Sequence, residues 1–121
     1  MSPAVLLGVA VLGGAGAVGR FLLDGAVAAR AGSRFPWGTL AVNLSGAFAL
    51  GVVVGAAVHD DAYRLAGTGL LGAFTTFSTW ALESQRLAED GDLRLGAANF
   101  GVSLVLGLLL VWAGRELGAL L

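Results

Sequence analysis

Residues 65–82 read LAGTGLLGAFTTFSTWAL, 18 consecutive positions without a formal charge, glycine-rich at the front and hydroxyl-rich at the back. Three more charge-free runs flank them: residues 1–19, 35–58 and 95–114, of 19, 24 and 20 residues. The four runs hold 81 of the 121 residues, and all 15 charges (seven Arg, eight acids, no Lys) fall in the other 40. A helix crossing the hydrocarbon core of a bilayer needs about 20 mostly apolar residues, range about 17–25. Four such runs in succession predict an all-α integral membrane protein, one domain over residues 1–121 with four transmembrane helices. The spans fall at about 3–23, 37–58, 62–86 and 95–114.

The connections between the runs are short. Residues 24–36 form the first, with 26–31 as a helical turn lying at the interface. Trp37 opens the second span at a depth that suits an aromatic ring, and Trp112 with Arg115 closes the fourth. His59, Asp60 and Asp61 make one turn, and Glu89, Asp90, Gly91 and Asp92 another. The first run has no positive residues ahead of it and is longer than the apolar core of a secretion signal, so it reads as a span.

Composition excludes several kinds of chemistry. Charged residues are 12% of the chain, against about 25% in an average soluble domain. Without Cys there is no disulfide framework, thiolate nucleophile or thiolate metal cluster. His59 is the one histidine, too few for a triad or a His-based metal site. The net charge of −1 supplies no basic stripe for nucleic acid. No carboxylate pair or nucleophile–base set lies inside a span, which argues against an intramembrane enzyme.

Glycine is frequent, 20 residues, and in lipid small residues let helix backbones approach closely. Ala10 and Gly14 are four apart, as are Ala15 and Gly19. Asn43, Ala47, Gly51 and Gly55 form an i, i+4 stripe on the second span, and Asn99, Ser103 and Gly107 another on the fourth. Each stripe puts a polar residue on the small-residue face, which therefore meets protein or water. Tight packing glued by hydrogen bonds is one reading of it, a polar path the other.

The third run differs from the rest. Thr75, Thr76, Ser78 and Thr79 crowd four hydroxyls into five positions shortly after Gly69 and Gly72. Such residues bond to nearby backbone and compete with the helical ladder. One reading breaks the helix near 72–76, with Gly72 at positive φ and Thr75 or Thr76 capping the restarted half. The other keeps an unbroken helix whose hydroxyls bond back to the preceding turn.

Residues 72–80, GAFTTFSTW, with Glu83 beyond, closely resemble the G-G-x-T-T-F-S-T-F…E signature of the fluoride channel family, called Fluc or CrcB. Residues 13–20, GGAGAVGR, are similar to the family's first-span G-G-x-x-G-A-x-x-R, and residues 36–48, PWGTLAVNLSGAF, to its G-T-x-x-V-N-x-x-G-x-F element. The three motifs occur in order over three spans. The resemblance implies a passive fluoride channel of the bacterial plasma membrane, built as an antiparallel dimer with two pores and a structural sodium ion at its centre. It implies that main-chain carbonyls at the third-span break, at Gly72 and Thr75, hold the sodium. It carries the pore roles onto Asn43, Phe77, Trp80, Ser78, Thr79, Asn99 and Ser103, and a vestibule role onto Arg20. Arg20 reads equally as an interfacial anchor. Glu83 is a candidate gate, against the plainer reading of a carboxylate paired with Arg86.

Two positions depart from the family pattern: Trp80 stands for a phenylalanine and Asn99 for a tyrosine. Some members pair with a paralogous subunit, and these changes fit a chain that supplies part of a pore. With four spans, Arg64 and Arg115 lie on one side and Arg20, Arg30, Arg34, Arg86 and Arg94 on the other. That imbalance favours one insertion direction, termini outward. A dimer with itself and one with a paralogue both stand. The competing functions are a small four-span multidrug or cation transporter, which needs an embedded acid that the first span lacks, and an accessory membrane subunit, which would not require the hydroxyl cluster.

Overall fold

The computed structural model describes residues 1–32 and 34–121, and the regular elements among them are all helical. Helix α1 (Pro3–Ala31) starts on Ser2, whose hydroxyl accepts from the Val5 N–H at 3.2 Å. Pro3 sits where its missing N–H is no loss. The helix runs 29 residues, so residues 24–31 continue it and do not form a separate interfacial turn. Ala26, Ala28, Ala29 and Ala31 are the strongest of helix formers, and the charges at Arg20 and Asp24 do not interrupt them. Gly32, at φ 85°, ends it. Ser33, inside the predicted first connection, lies outside the described residues.

Helix α2 (Trp37–Gly55) stops three residues before the predicted boundary at 58, and Ala57 turns the chain at φ 53°. Next come α3 (Asp60–Tyr63), a π-wound stretch (Arg64–Leu71), α4 (Gly72–Phe74), two extended residues, and α5 (Phe77–Glu89). Helix α6 (Leu93–Gly118) closes the chain and outruns its predicted span at both ends. By length and apolar character α1, α2 and α6 can each cross a membrane. Their outer faces carry exposed Leu6, Leu7, Val11 and Phe21 on α1 and Leu104, Val105, Leu108 and Leu109 on α6. Apolar surface on that scale suits lipid and not water.

Successive runs alternate in direction. Gly38 at the start of α2 meets Asp24 near the end of α1, while Gly8, Gly13 and Gly16 follow Leu65, Gly69 and Leu70 in the same sense. Gly96 of α6 meets Ser84 and Ala88 of α5, and Arg34 pairs with Asp92 at 3.4 Å across the two connections at that end. The tightest seam lies between α2 and α6. A Cβ on Gly51 would overlap the Val111 carbonyl, and one on Gly114 the Phe48 carbonyl. Backbone therefore rests on backbone, the use of small residues expected in lipid.

The stripes inferred from spacing hold only in part. Gly51 and Gly55 line the α2–α6 seam, but Gly14 and Gly107 have no neighbour within 4 Å. The close contact of α1 is made by Gly16, on the Leu70 carbonyl and Phe74 N–H. Spacing finds which residues share a face but not which face meets a neighbour.

Gly114→Val should therefore destabilise the fold by at least about 1–3 kcal/mol, the usual penalty of overpacking, because rigid backbone blocks the new side chain. Gly107→Ala should leave stability unchanged or raise it by up to about 1 kcal/mol, since the added methyl meets open space and favours the helix. Thermal midpoints in detergent check both, and equal behaviour of the two variants would remove the seam.

Candidate functional site

The site is built around the two extended residues, Thr75 (φ −79°, ψ 160°) and Thr76 (φ −146°, ψ 122°). Gly72 is right-handed helical at φ −62°, so the positive φ expected of it is not used. The departure falls on two β-branched residues at home in extended backbone, and no glycine is needed. Both expected uses of the hydroxyls occur, on different residues. Thr76 caps α5, its Oγ1 accepting from the Thr79 N–H at 3.2 Å and donating to Thr79 Oγ1 at 3.0 Å. Thr75 Oγ1 donates back to the Leu71 carbonyl at 3.1 Å.

Asn43 of α2 secures this segment from the side. Its Nδ2 donates to the Thr76 carbonyl and its Oδ1 accepts from the Thr76 N–H, both at 2.8 Å. One amide side chain thus replaces a strand partner for one residue. Its effect on the neighbouring ladder follows by counting donors. The Thr76 N–H, the i+4 donor for Gly72, goes to Asn43, and the Thr79 N–H, the i+4 donor for Thr75, goes to Thr76 Oγ1. The carbonyls of Gly72 and Thr75 are left without their helical donors.

Two clefts flank the segment. The larger, about 460 Å³, is bordered by Asn43, Gly72, Thr75, Phe77, Trp80 and Ser103. The smaller, about 220 Å³, is bordered by Arg20, Asp24, Thr39 and Thr79. Thr76 borders both, so the Asn43–Thr76 pair stands between them. Phe77 is 72% exposed and meets Trp80 edge-on, ring centroids 5.3 Å apart at 76°. Trp80 stacks on Phe100 at 4.6 Å.

Several expected site residues lie elsewhere or bond differently. Asn99 is buried in the α5–α6 contact, 1% exposed, and borders neither cleft. Its amide donates to Ser84 Oγ at 2.8 Å, because the shorter side chain stays within the helix contact. The Trp80 indole N–H donates to the Asn99 main-chain oxygen at 3.1 Å, so it is not turned to the cleft. Ser78 is exposed beside Thr76, 3.4 Å between the hydroxyl oxygens, and borders neither cleft. Glu83 does not pair with Arg86: its Oε1 accepts from Thr39 Oγ1 at 2.6 Å. Thr39, buried on α2, and Ser84 have no role in the sequence reading. Ser84 stands four residues after Trp80, and that spacing is the one signal that marks it.

Long apolar helices, lipid-suited outer faces and internal clefts bordered by amide, hydroxyl and ring define a multi-pass protein of the cell membrane. Residues 7–115 match the family model described as CrcB-like protein, Camphor Resistance (CrcB), and the chain belongs to that family. It is 55% identical over 117 residues to the fluoride-specific ion channel FluC 2 of Mycolicibacterium paratuberculosis, covering 97% of this chain and 96% of the relative. Identity is 50% to the FluC 2 of Mycobacterium tuberculosis over 115 residues, 95% of this chain and 91% of that one. It is 49% to the FluC 1 of Rubrobacter xylanophilus over 120 residues, 98% and 97% of the two chains.

Asn43→Leu removes both bonds to Thr76 and leaves a part-buried N–H and carbonyl without their partners, a loss of about 1–3 kcal/mol in all. Its thermal midpoint in detergent should fall well below that of a Ser45→Ala control on the same helix. An unchanged midpoint would show that the segment holds without Asn43.

Proposed function

We propose that the protein is a passive fluoride-selective channel that exports fluoride across the cell membrane and so relieves its toxicity. The observation that carries this is the larger cleft: an amide, a hydroxyl and aromatic rings border it, and no Lys or Arg does. Fluoride is small and strongly hydrated, so a conducting site must replace its water with donors without trapping it. Neutral donors meet that need, and the names of the relatives point to the same ion.

On this reading the run from Asp60 to Glu89 crosses the bilayer as two half-helices, the third of four crossings in chain order. Backbone freed at such depth is tolerated where protein buries it or a cavity borders it, as Asn43 and the cleft do here. The Asn43 amide has a second N–H beyond the one given to Thr76, and that proton is available to the ion. Phe77 and Trp80 offer ring edges, the positive part of the aromatic quadrupole. Ser103, whose buried hydroxyl has no partner within the described residues, takes the α6 role expected of Asn99. Thr79 and Arg20 serve the smaller cleft, where the guanidinium draws anions towards the path, and Thr39 steadies the Glu83 carboxylate beside it.

The carbonyls of Gly72 and Thr75 fit a hard cation, since both have lost their helical donors. A sodium ion bound there supplies charge to oxygens that would otherwise lie unsatisfied. The larger cleft is open along one side of a single chain, which suits an antiparallel dimer with itself or with a paralogous subunit. The numbers 1 and 2 in the relatives' names fit chains that occur in pairs.

Liposome efflux tests this. The purified channel, alone or with its paralogue, should release fluoride and not chloride, and sodium removal should abolish the flux. Phe77→Ile should cut fluoride efflux by up to roughly tenfold, the scale of an aromatic contact, while assembly persists. Drug-coupled proton flux would favour a multidrug transporter, and silence under all conditions an accessory subunit.

A further inference from the structure

Trp80 and Asn99, the two departures from the family pattern, are joined in the structure. The Trp80 indole N–H donates to the Asn99 main-chain oxygen at 3.1 Å. The Asn99 amide donates to Ser84 Oγ at 2.8 Å, and the Ser84 hydroxyl donates to the Trp80 main-chain oxygen at 2.9 Å. The three bonds close a circuit between α5 and α6. Its direction is determined, because the single hydroxyl proton of Ser84 points at Trp80 and its oxygen can only accept from Asn99. The amide must turn its NH2 to Ser84, which leaves Asn99 Oδ1 buried without a partner.

The circuit immobilises one of the two cleft rings and not the other. Swinging the indole out would strip its N–H of a partner away from water and break the stack on Phe100. Phe77 has no polar anchor, is 72% exposed, and rests on Trp80 alone among the aromatic rings. Whatever orientation Phe77 presents to the cleft is set against the indole.

We propose that Ser84 is a positioning residue for permeation: by tying the Trp80 main chain to the Asn99 side chain it holds α5 on α6 at the register where the indole reaches the Asn99 main-chain oxygen, and the fixed wall so made sets the preference for fluoride over chloride. The proposal rests on the channel reading above. It gives Asn99 a place outside the pore lining and explains a tryptophan where a phenylalanine would have nothing to donate.

Replacing Trp37 and Trp112 by Phe leaves Trp80 as the single indole of the full chain. In proteoliposomes, Ser84→Ala should lower Trp80 fluorescence anisotropy and reduce the fluoride-to-chloride efflux ratio roughly threefold, the factor typical of one side-chain hydrogen bond in a membrane protein. In a Trp80→Phe chain the same Ser84→Ala change should leave the efflux ratio where it was, because nothing remains to be clamped. An anisotropy or efflux ratio that Ser84→Ala does not move overturns the proposal. So does an equal drop of the ratio in the Trp80→Phe chain, which would make Ser84 a packing residue only. Absence of fluoride flux from the otherwise unaltered assembly overturns the channel reading and the selectivity role with it, and the anisotropy, read without transport, still decides whether the clamp exists.

Discussion

Polar backbone that leaves a helix inside an apolar structure must find partners, and here one asparagine supplies them for the residue that needs them most. Asn43 both donates to and accepts from Thr76, and the surrounding structure is arranged to keep those two bonds in place. Gly46, one turn further along α2, has no side chain because Thr75 Cγ2 occupies the space a Cβ would take. Gly16 of α1 admits the Leu70–Phe74 turn from the opposite side. Further along, α2 rests on α6 through Gly51 and Gly55, so the helix that carries Asn43 is held by backbone contact at its other end. Substituting any one of these would shift α2 relative to the extended pair, and a shift of about an ångström is enough to take both 2.8 Å bonds out of hydrogen-bond range.

The diversion of donors at this point also determines which carbonyls remain. In an unbroken helix the Gly72 and Thr75 oxygens would each receive an i+4 N–H. Both of those N–H groups are taken by side chains, Asn43 Oδ1 and Thr76 Oγ1. A cation is one means of satisfying oxygens so exposed, and the larger cleft bordered by both residues gives it room. Capping and side-chain pairing are thus two consequences of one interruption of the ladder.

Much of this was legible in the chain itself, and the illegible part has a common cause. The charge-free runs locate α1, α2 and α6 because lipid tolerates charge so poorly that its absence marks a span. The hydroxyls from Thr75 to Thr79 mark this point as irregular but leave a broken and an unbroken helix both open, because hydroxyls beside a glycine pair can compete with a helix or bond back to it. Helix ends and predicted span ends differ where the first connection is placed at residue 24: Asp24 sits inside α1, and the alanine-rich stretch after it continues the helix. The π-winding of Arg64–Leu71 leaves no local trace, because Gly67 and Gly69 only become buried when other elements close on them. Asn43 and Thr76 are 33 residues apart, and Asn99, matched to a tyrosine by register, bonds to Ser84 across the α5–α6 contact. What was missed depends on contacts between runs, which spacing within a run does not encode.

The chain's asymmetry bears on how a channel of this kind would assemble. Gly55 lies on the Arg115 backbone, so Arg115 and the nearby Arg64 share one end of the structure, and the Arg34–Asp92 pair marks the other. Five of the seven arginines belong to the Arg34 end by their positions along the chain. A subunit with that bias inserts mainly one way. On the proposed antiparallel dimer, that bias would have to be met by a partner of opposite bias or by a minority of copies inserted the other way. The Trp80–Asn99–Ser84 circuit concerns what each subunit would contribute to a pore. In a dimer of identical chains both pores would carry the clamped indole, whereas beside a paralogue this chain contributes its fixed wall and the partner can contribute rings that are free to move. Charge bias and side-chain geometry are physically independent: the first bears on insertion direction and the second on the wall of the cleft, and a dimer with itself and one with a paralogue both stand.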